Sequence, residues 1–286
     1  MAEVSSPASS GNLGPGFDSL ALALELRCSV RATPATAWSA SHLGPHAPGD
    51  QEEDVVLAAA QRMVGSGNPL ALVVDNRIPL SKGLGSSSAA CAAGAAAALL
   101  AVSGELDADA VFELVSECEG HGDNAAAAVF GGLVGVGADG TPIALTMDAR
   151  WRVLVAIPPY ELPTHLARAA LDPSVDRGVV VRNLGRLLAL IEGLRTGDED
   201  LLARAGGDEL HEVPRAPLHA AASEIMEAAR RAGAAHAAWS GAGPAVLAIC
   251  DATSMGAVEA ALRQVLPDVG VVMALEVAQQ GLMVAG

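Results

Sequence analysis

Basic and aromatic residues are scarce in this 286-residue sequence, and the shortage of basic residues excludes some functions. Lysine and arginine number 17 against 33 acidic residues, which gives a formal net charge of −16, and Lys82 is the single lysine. Nucleic acids and anionic membranes attract proteins through lysine and arginine, so we expect neither as a partner. An anionic small molecule must then be held by arginines, backbone N–H groups, helix termini or a bound metal ion.

Aromatic residues make up 2% of the sequence, whereas hydrophobic residues of all kinds make up 51%, so the core is expected to consist mostly of Ala, Val and Leu. The four cysteines, Cys28, Cys91, Cys118 and Cys250, lie far apart and form no Cys-x-x-Cys pair. This spacing favours buried thiols in a reducing compartment. The sequence does not begin with a basic region followed by an apolar run, and its one long apolar stretch is Ala-rich and weakly hydrophobic. These features predict a cytoplasmic protein.

The most informative segment covers residues 79–89 and reads Pro-Leu-Ser-Lys-Gly-Leu-Gly-Ser-Ser-Ser-Ala. Gly83 and Gly85 allow successive N–H groups to approach a ligand oxygen, and the Ala-rich tract that follows predicts a helix. The unpaired N–H groups at the start of that helix favour an anion. Lys82 precedes the glycines, so the segment is not a Walker A loop. The alternative is a glycine-rich turn before an ordinary core helix.

Two further segments combine polar groups with glycine. Residues 7–18 read Pro-Ala-Ser-Ser-Gly-Asn-Leu-Gly-Pro-Gly-Phe-Asp and are predicted to form a turn ahead of a strand. Asn12 and Asp18 in this turn either bind a ligand or satisfy backbone N–H groups. Residues 119–124 read Glu-Gly-His-Gly-Asp-Asn where a helix is predicted to end, and the alternative to a binding site is a solvated helix terminus.

The hydrophobic pattern predicts strands that alternate with helices. Apolar residues recur at every second position over 20–30, which is typical of a half-buried strand. Further strands are predicted at 70–74, 151–157, 235–240, 245–250 and 270–277, a hairpin at 132–147, and helices at 107–118 (with Asp107 as N-cap), 179–195, 199–211, 216–232 and 253–265. Residues 33–54 are predicted to be a disordered surface loop. A domain boundary near residue 150 divides the chain into residues 1–150 and 151–286.

With Ser-Gly-Ala-Gly-Pro at 240–244, the three segments resemble the GHMP kinase family in order and spacing over nearly the whole chain. Residues 7–18 and 119–124 resemble, within that family, the branch that phosphorylates homoserine. The resemblance implies an α+β fold of two domains, the first of ribosomal-protein-S5-like type and the second a ferredoxin-like α/β domain. It also implies that the chain uses ATP and Mg²⁺ to phosphorylate L-homoserine in threonine biosynthesis, and a homodimer is compatible with it.

The resemblance further implies roles for individual residues. The ATP-phosphate loop would consist of Pro79, Leu80, Ser81, Lys82, Gly83, Leu84, Gly85, Ser86, Ser87, Ser88 and Ala89, and Ser87 and Glu119 would hold the metal. The acceptor would contact Asn12, Asp18, His121, Asp123, Asn124, Arg168 and Arg215, with the two arginines on its carboxylate. The residues expected to act in catalysis are Asn124, Asp18 and Thr164.

Some positions depart from the family pattern or leave alternatives open. Gly11 stands where the family usually has alanine, which predicts a looser loop, and Asp54 stands where an Asn-Leu-Val pattern is common near the nucleotide. Arg177, Arg182 and Arg186 are alternatives to Arg168 at the acceptor carboxylate. Two other functions are compatible with the sequence: a kinase for a different small alcohol, and a sensor that binds nucleotide or amino acid without catalysis.

Overall fold

The computed structural model describes residues 1–49, 54–266 and 269–285. In chain order the strands are β1 (Ala2–Asn12), β2 (Gly16–Pro34), β3 (Ser39–His42), β4 (Leu70–Asn76), β5 (Leu133–Val136), β6 (Pro142–Leu145), β7 (Arg152–Ile157), β8 (His236–Trp239), β9 (Val246–Cys250), β10 (Val271–Leu275) and β11 (Met283–Val284). The helices are α1 (Val55–Val64), α2 (Ser86–Ser103), α3 (Ala108–Glu119), α4 (Asp123–Phe130), α5 (Thr164–Ala169), α6 (Arg177–Thr196), α7 (Glu199–Arg204), α8 (Glu212–Arg215), α9 (Ala222–Arg231) and α10 (Met255–Val265), with a 3₁₀ turn at Ala216–Leu218.

The first sheet has seven strands among the described residues. Five follow the order β11-β1-β2-β4-β3, β5 also pairs with β2, and β6 pairs with β5. Helices α2 and α4 pack against β1 and β2, and α1 packs against α2. Helix α2 meets the length and hydropathy expected of a membrane span, but 67% of it is buried inside the molecule. Its alanines lie in the main hydrophobic core, where their small side chains let the helix approach the sheet closely. It is therefore the central core helix of this half.

The second sheet has four antiparallel strands in the order β10-β7-β9-β8, with α9 before β8 and α10 between β9 and β10. This is the β-α-β-β-α-β arrangement of ferredoxin-like folds, with extra helices between β7 and α9. Strand β7 buries both of its faces, because Val153 and Val155 join the main core and Leu154 and Ala156 pack with α9 and α10. The α+β class predicted from the sequence is confirmed.

The structure corrects several predicted elements. Residues 7–12, predicted as part of a turn, are the second half of β1, which pairs with β2 on one side and β11 on the other. Residues 39–42, inside the predicted loop, form β3 parallel to β4, and residues 50–53 lie outside the described residues. The helix predicted at 199–211 ends at Arg204. Because β11 returns to the first sheet, residues 283–285 pack on the first half, and the boundary near residue 150 stays a prediction.

The prediction of buried thiols is right for Cys28, Cys91 and Cys250 and wrong for Cys118. Cys118 lies on the exposed side of α3, where its Sγ accepts a hydrogen bond of 3.0 Å from Nη1 of Arg62. Burial raises the pKa of the Cys28 thiol to about 12, so this thiol stays protonated.

Asp54 has a structural role that the sequence pattern did not indicate. Its Oδ1 accepts hydrogen bonds from the N–H groups of Val56 and Leu57 at the start of α1, and its Oδ2 lies 2.9 Å from Nε2 of His42. Asp54→Ala removes this N-cap, so we expect the free energy of unfolding to fall by about 1 kcal/mol in urea titrations without nucleotide. Asp54→Asn keeps an acceptor oxygen, so we expect a smaller fall in the free energy of unfolding. Equal stability of the Ala variant and the unmodified protein would contradict the capping role.

Candidate active site

One cleft brings together nearly all the site residues predicted from the sequence. It is lined by Asn12, Asp18, Pro79, Ser81, Lys82, Gly83, Leu84, Gly85, Ser86, Ser87, Ser88, Glu119, His121, Asp123, Asn124, Thr164, Arg168, Arg215, Gly241 and Ala242. Of the predicted residues, Leu80 lines a neighbouring cavity instead, and Ala89 is buried with its N–H donated to the carbonyl of Gly85. The residues converge from both halves of the chain.

The loop before α2 is held in place by the turn at 240–244. Ser240 donates its hydroxyl hydrogen to the carbonyl of Gly83 at 2.7 Å, and Ala245 N–H donates to the carbonyl of Lys82 at 3.1 Å. Gly83 has a φ of +77°, and a Cβ there would lie 2.1 Å from the carbonyl oxygen of Ser240, so only glycine fits. This contact joins the segments 79–89 and 240–244 in the folded chain.

The first turn of α2 offers anion-binding N–H groups to the cleft. By helix geometry the N–H groups of residues 86–88 have no acceptor within the helix, and the positive end of the helix dipole adds to their attraction for an anion. Lys82 lies on the same cleft and donates from Nζ to the carbonyl of Tyr160 at 2.6 Å. Burial lowers the pKa of Lys82 from its usual value, and the charge of Glu161 opposes that effect.

The three serines that begin α2 differ in what their side chains do. The Ser86 hydroxyl donates to the carbonyl of Ile78 at 3.2 Å and accepts from Nδ2 of Asn76 at 3.1 Å. Ser88 is buried with 1% exposure, whereas Ser87 is exposed toward the cleft. Glu119, the last residue of α3, is half-buried on the same cleft. The hydroxyl of Ser87 and the carboxylate of Glu119 are hard oxygen donors of the kind that Mg²⁺ prefers.

A second group of titratable side chains lines the same cleft. Asp18, His121 and Asp123 have ligand atoms that all lie within 4.8 Å of one another. Two of these groups are already bonded to each other, because Nδ1 of His121 lies 2.5 Å from Oδ1 of Asp123. Burial lowers the pKa of His121, but the hydrogen bond and the charge of Asp123 outweigh it, and the pKa lies above its usual value. This group therefore presents hydrogen-bonding side chains to a ligand.

The turn between β1 and β2 places Asn12 and Asp18 at the cleft. The amide oxygen of Asn12 accepts from Asp18 N–H at 3.0 Å, and its Nδ2 donates to the carbonyl of Gly241 at 2.9 Å, so Asn12 does close the turn. Asn12, Leu13 and Asp18 all have positive φ angles, of 67°, 51° and 52°. Non-glycine residues rarely adopt this conformation, and such strain is concentrated at functional sites.

The two predicted arginines both line the cleft, but their partners differ. Arg168 binds the carboxylate of Asp18 through two hydrogen bonds, of 2.9 and 3.0 Å. Arg215 is 2% exposed, and no carboxylate within the described residues forms an ion pair with it. Burial, followed by the charge of Arg168, lowers the pKa of Arg215 to about 10, so the guanidinium is still positive at neutral pH.

The alternative arginines are placed elsewhere. Arg182 and Arg186 both bind Glu209, and neither they nor Arg177 lines the cleft. Thr164, the first residue of α5, is exposed at the cleft.

Sequence reasoning missed several side chains that support this site. Ser9 donates from its hydroxyl to the amide oxygen of Asn124 at 2.8 Å, which fixes that amide. His211 bonds to Arg215, and the ring of Phe17 lies against both. His211 stands four residues before Arg215, and this spacing brings two side chains together on one helical turn. The spacing is the sequence feature that could have predicted their contact.

A second cavity adjoins the cleft on the side of α1 and shares Ser81, Ser86 and Ser87 with it. Its volume of about 360 Å³ lies within the range of small-molecule pockets, about 300–1,000 Å³. Asp54, the N-cap of α1, and its partner His42 form part of its wall.

Comparison with known proteins finds one family match in each half of the chain. The family model described as the GHMP kinases N terminal domain matches residues 54–132, and that described as GHMP kinases C terminal matches residues 190–268. A protein named homoserine kinase from Deinococcus radiodurans is 39% identical, over 87% of this chain and 84% of its own length. One of the same name from Moorella thermoacetica is 35% identical, over 96% and 92%. The crystal structure of homoserine kinase from Cytophaga hutchinsonii has the same fold, with a TM-score of 0.88 over 99% and 97% of the two chains at 24% identity.

Proposed function

The chain belongs to the homoserine kinases of the GHMP kinase family, and on this premise we propose that it transfers the γ-phosphoryl group of ATP to the hydroxyl of L-homoserine. The observation that carries the proposal is a buried arginine without an ion-pair partner in the described part of the chain, on the same cleft as an anion-binding loop. The loop suits the phosphates, and Arg215 suits the carboxylate of an amino acid.

In this proposal the triphosphate lies on the N–H groups at the start of α2, and the nucleoside occupies the adjoining cavity beside α1. The two spaces share Ser81, Ser86 and Ser87, so one ligand can extend across both. Lys82, at the edge of the loop, adds a positive charge near the phosphates.

Ser87 and Glu119 are the residues we propose for Mg²⁺. The bound ion would neutralise charge on the phosphates, which is a main part of catalysis in phosphoryl transfer. The exposure of Ser87 supports this choice over Ser86 and Ser88, whose side chains are buried.

The acceptor would lie with its carboxylate on Arg215 and its amino group beside Asp18. Asp18 is held by two hydrogen bonds from Arg168, so its carboxylate is oriented before a ligand arrives. Asn124, fixed by Ser9, would orient the hydroxyl that attacks phosphorus. An amide does not accept a proton at neutral pH, so Asn124 positions the hydroxyl and does not deprotonate it. Rate enhancement would then come mainly from alignment and charge neutralisation.

The direct test is ADP release with ATP, Mg²⁺ and a panel of acceptors: L-homoserine, shikimate, mevalonate and a hexose. We expect turnover with homoserine far above the rate without acceptor, and a phosphate ester on the homoserine hydroxyl by phosphorus NMR. Strong turnover on another alcohol, with none on homoserine, would overturn the assignment of homoserine as the acceptor and leave the assignment as a kinase intact. ATP binding without turnover on any acceptor would favour a sensor.

A further inference from the structure

The acceptor arginine is held by a buried side chain that lies outside the four segments on which the family resemblance rests. His211 has 0% exposure and lies between the β1–β2 turn and Arg215. Its Nε2 lies 2.8 Å from the carbonyl oxygen of Gly14, and its Nδ1 lies 3.1 Å from Nη1 of Arg215. A single imidazole therefore connects the turn that carries Asn12 and Asp18 with the guanidinium of Arg215.

The partners of the ring determine its protonation. A guanidinium only donates hydrogen bonds, so Nδ1 must accept, and a carbonyl only accepts, so Nε2 must carry the hydrogen. The neutral ring with its hydrogen on Nε2 satisfies both bonds at once. Burial lowers the pKa of His211, the nearby charge of Asp208 opposes this, and Arg215 lowers it further, so the neutral ring is favoured at neutral pH. The contact is thus a neutral acceptor beside a buried cation.

The other contacts of Arg215 leave one edge of its guanidinium free to bind a ligand. Nε of Arg215 donates to the carbonyl of Ala167 at 3.0 Å, and the ring of Phe17 lies against the guanidinium, 5.4 Å from its centre. Phe17 also stacks on His211, with 5.4 Å between ring centroids and 24° between planes. Nη2 has no acceptor within the described residues, and Arg215 lines the cleft, so its free edge is available to a carboxylate.

We propose that His211 is a positioning residue for the acceptor, which orients Arg215 toward the carboxylate and fixes its distance from the turn beside the amino group. This inference rests on the proposed function, because it assumes that Arg215 binds the acceptor carboxylate. Homoserine has its amino and carboxylate groups on one carbon, so the two protein groups that bind them must keep a fixed separation. The His211 bridge between Gly14 and Arg215 maintains that separation.

Two substitutions separate the two bonds of the ring. The amide of an asparagine reaches about as far as Nδ1 of a histidine, whereas that of a glutamine reaches about as far as Nε2. His211→Asn therefore keeps an acceptor for Arg215 and loses the bond to the carbonyl of Gly14. His211→Gln keeps a donor for the carbonyl of Gly14 and loses the acceptor for Arg215. Both variants break the connection between the turn and Arg215, so we expect the KM for homoserine to rise in both. The rise should be about 10-fold in His211→Gln, which loses the bond to Arg215 itself, and about 3-fold in His211→Asn, with kcat and the KM for ATP little changed.

His236 provides a matched control. It is also buried and bonds through Nε2 to the carbonyl of Leu13 in the same turn, at 2.9 Å. Within the described residues no hydrogen bond joins it to Arg215. His236→Asn and His236→Gln should lower the melting temperature as the 211 variants do, without the difference in homoserine KM. Calorimetric binding of homoserine in the presence of a non-hydrolysable ATP analogue should show the same order as the KM values.

The outcomes are distinct. Equal homoserine KM values in the two 211 variants, or the same difference in the 236 variants, would overturn the positioning role. If neither 211 variant folds, Phe17→Leu tests the same cluster, and an unchanged homoserine KM in that variant would also overturn it. Failure of the unmodified protein to bind or phosphorylate homoserine would instead contradict the proposed function.

Discussion

Glu119→Gln is expected to reduce kcat by at least ~100-fold, the scale on which loss of one electrostatic stabiliser acts in an enclosed active site. Glutamine keeps the size and hydrogen bonding of the side chain but removes the negative charge that a hard divalent cation prefers. Glu119 is half-buried on the cleft that also carries Ser87, so its carboxylate is available to an ion near the phosphates. The measurement is ADP release at saturating ATP and homoserine over a range of Mg²⁺ concentrations.

Glu117→Gln is the matched control for this prediction. Glu117 lies on the same helix, is exposed, and binds Nη2 of Arg62 at 3.0 Å outside the cleft. Exposed ion pairs contribute little, so this variant should keep near-normal activity. Near-normal activity in a folded Glu119→Gln protein would instead identify Glu119 as a solvated residue at a helix end.

The sequence predicted most of the residues that meet at the cleft, because their chemistry depends on residue type and local spacing. Glycines followed by serines and a helix-forming tract are enough to predict an anion site at the start of α2. The local sequence does not show which of the three serine hydroxyls is free to face a ligand, because the contacts of Ser86 with Ile78 and Asn76 depend on tertiary packing. The preference for Ser87 came from the family resemblance, and its exposure supports that choice.

Strand β1 was missed because the usual signal for a strand is absent from it. Ser6, Ser9 and Ser10 in this strand are fully buried, and small polar residues do not produce an alternating hydrophobic pattern. The Ser6 hydroxyl is accommodated by a bond to the carbonyl of Ala128 in α4, which no local pattern reveals. Short strand β3 was missed because it is exposed or half-buried and lies among turn-forming residues.

Gly11 has a structural effect different from the one predicted. A Cβ at this position would lie 2.8 Å from Oδ2 of Asp123 and 2.9 Å from Nδ2 of Asn124. The glycine therefore lets β1 approach the start of α4 closely, and the expectation of a looser loop is wrong. Long-range contacts of this kind also explain why the pairing of Asp18 with Arg168 could not be predicted, since 150 positions separate the two residues.

Arg215→Ala is expected to lower kcat/KM for homoserine by ~10- to 100-fold while leaving the KM for ATP within a few-fold. Charge-assisted hydrogen bonds contribute roughly 1.5–3 kcal/mol each, which gives this range for the loss of a carboxylate contact. Arg215→Lys should recover the activity only in part, because an ammonium acts as a point charge and cannot form two parallel bonds to a carboxylate. Steady-state kinetics with each substrate varied in turn make the comparison.

The same kinetics on Arg168→Ala separate two roles for that residue. If Arg168 joins Arg215 at the carboxylate, the two single variants should raise the homoserine KM to a similar extent. If it serves to hold Asp18, as its two hydrogen bonds indicate, Arg168→Ala and Asp18→Asn should have similar effects, and the double variant should be little worse than either one.

Arg186→Ala provides the control for both arginines. Arg186 is partly buried, as Arg168 is, and binds Glu209 at 2.6 Å, but it does not line the cleft. Its loss should lower stability slightly without a change in the homoserine KM. Unchanged homoserine kinetics in a folded Arg215→Ala protein, or an equal weakening of ATP and homoserine, would place the acceptor carboxylate elsewhere. In that case the buried charge of Arg215 would serve the structure of the cleft, and melting temperatures of the same variants would show a loss larger than that of Arg186→Ala.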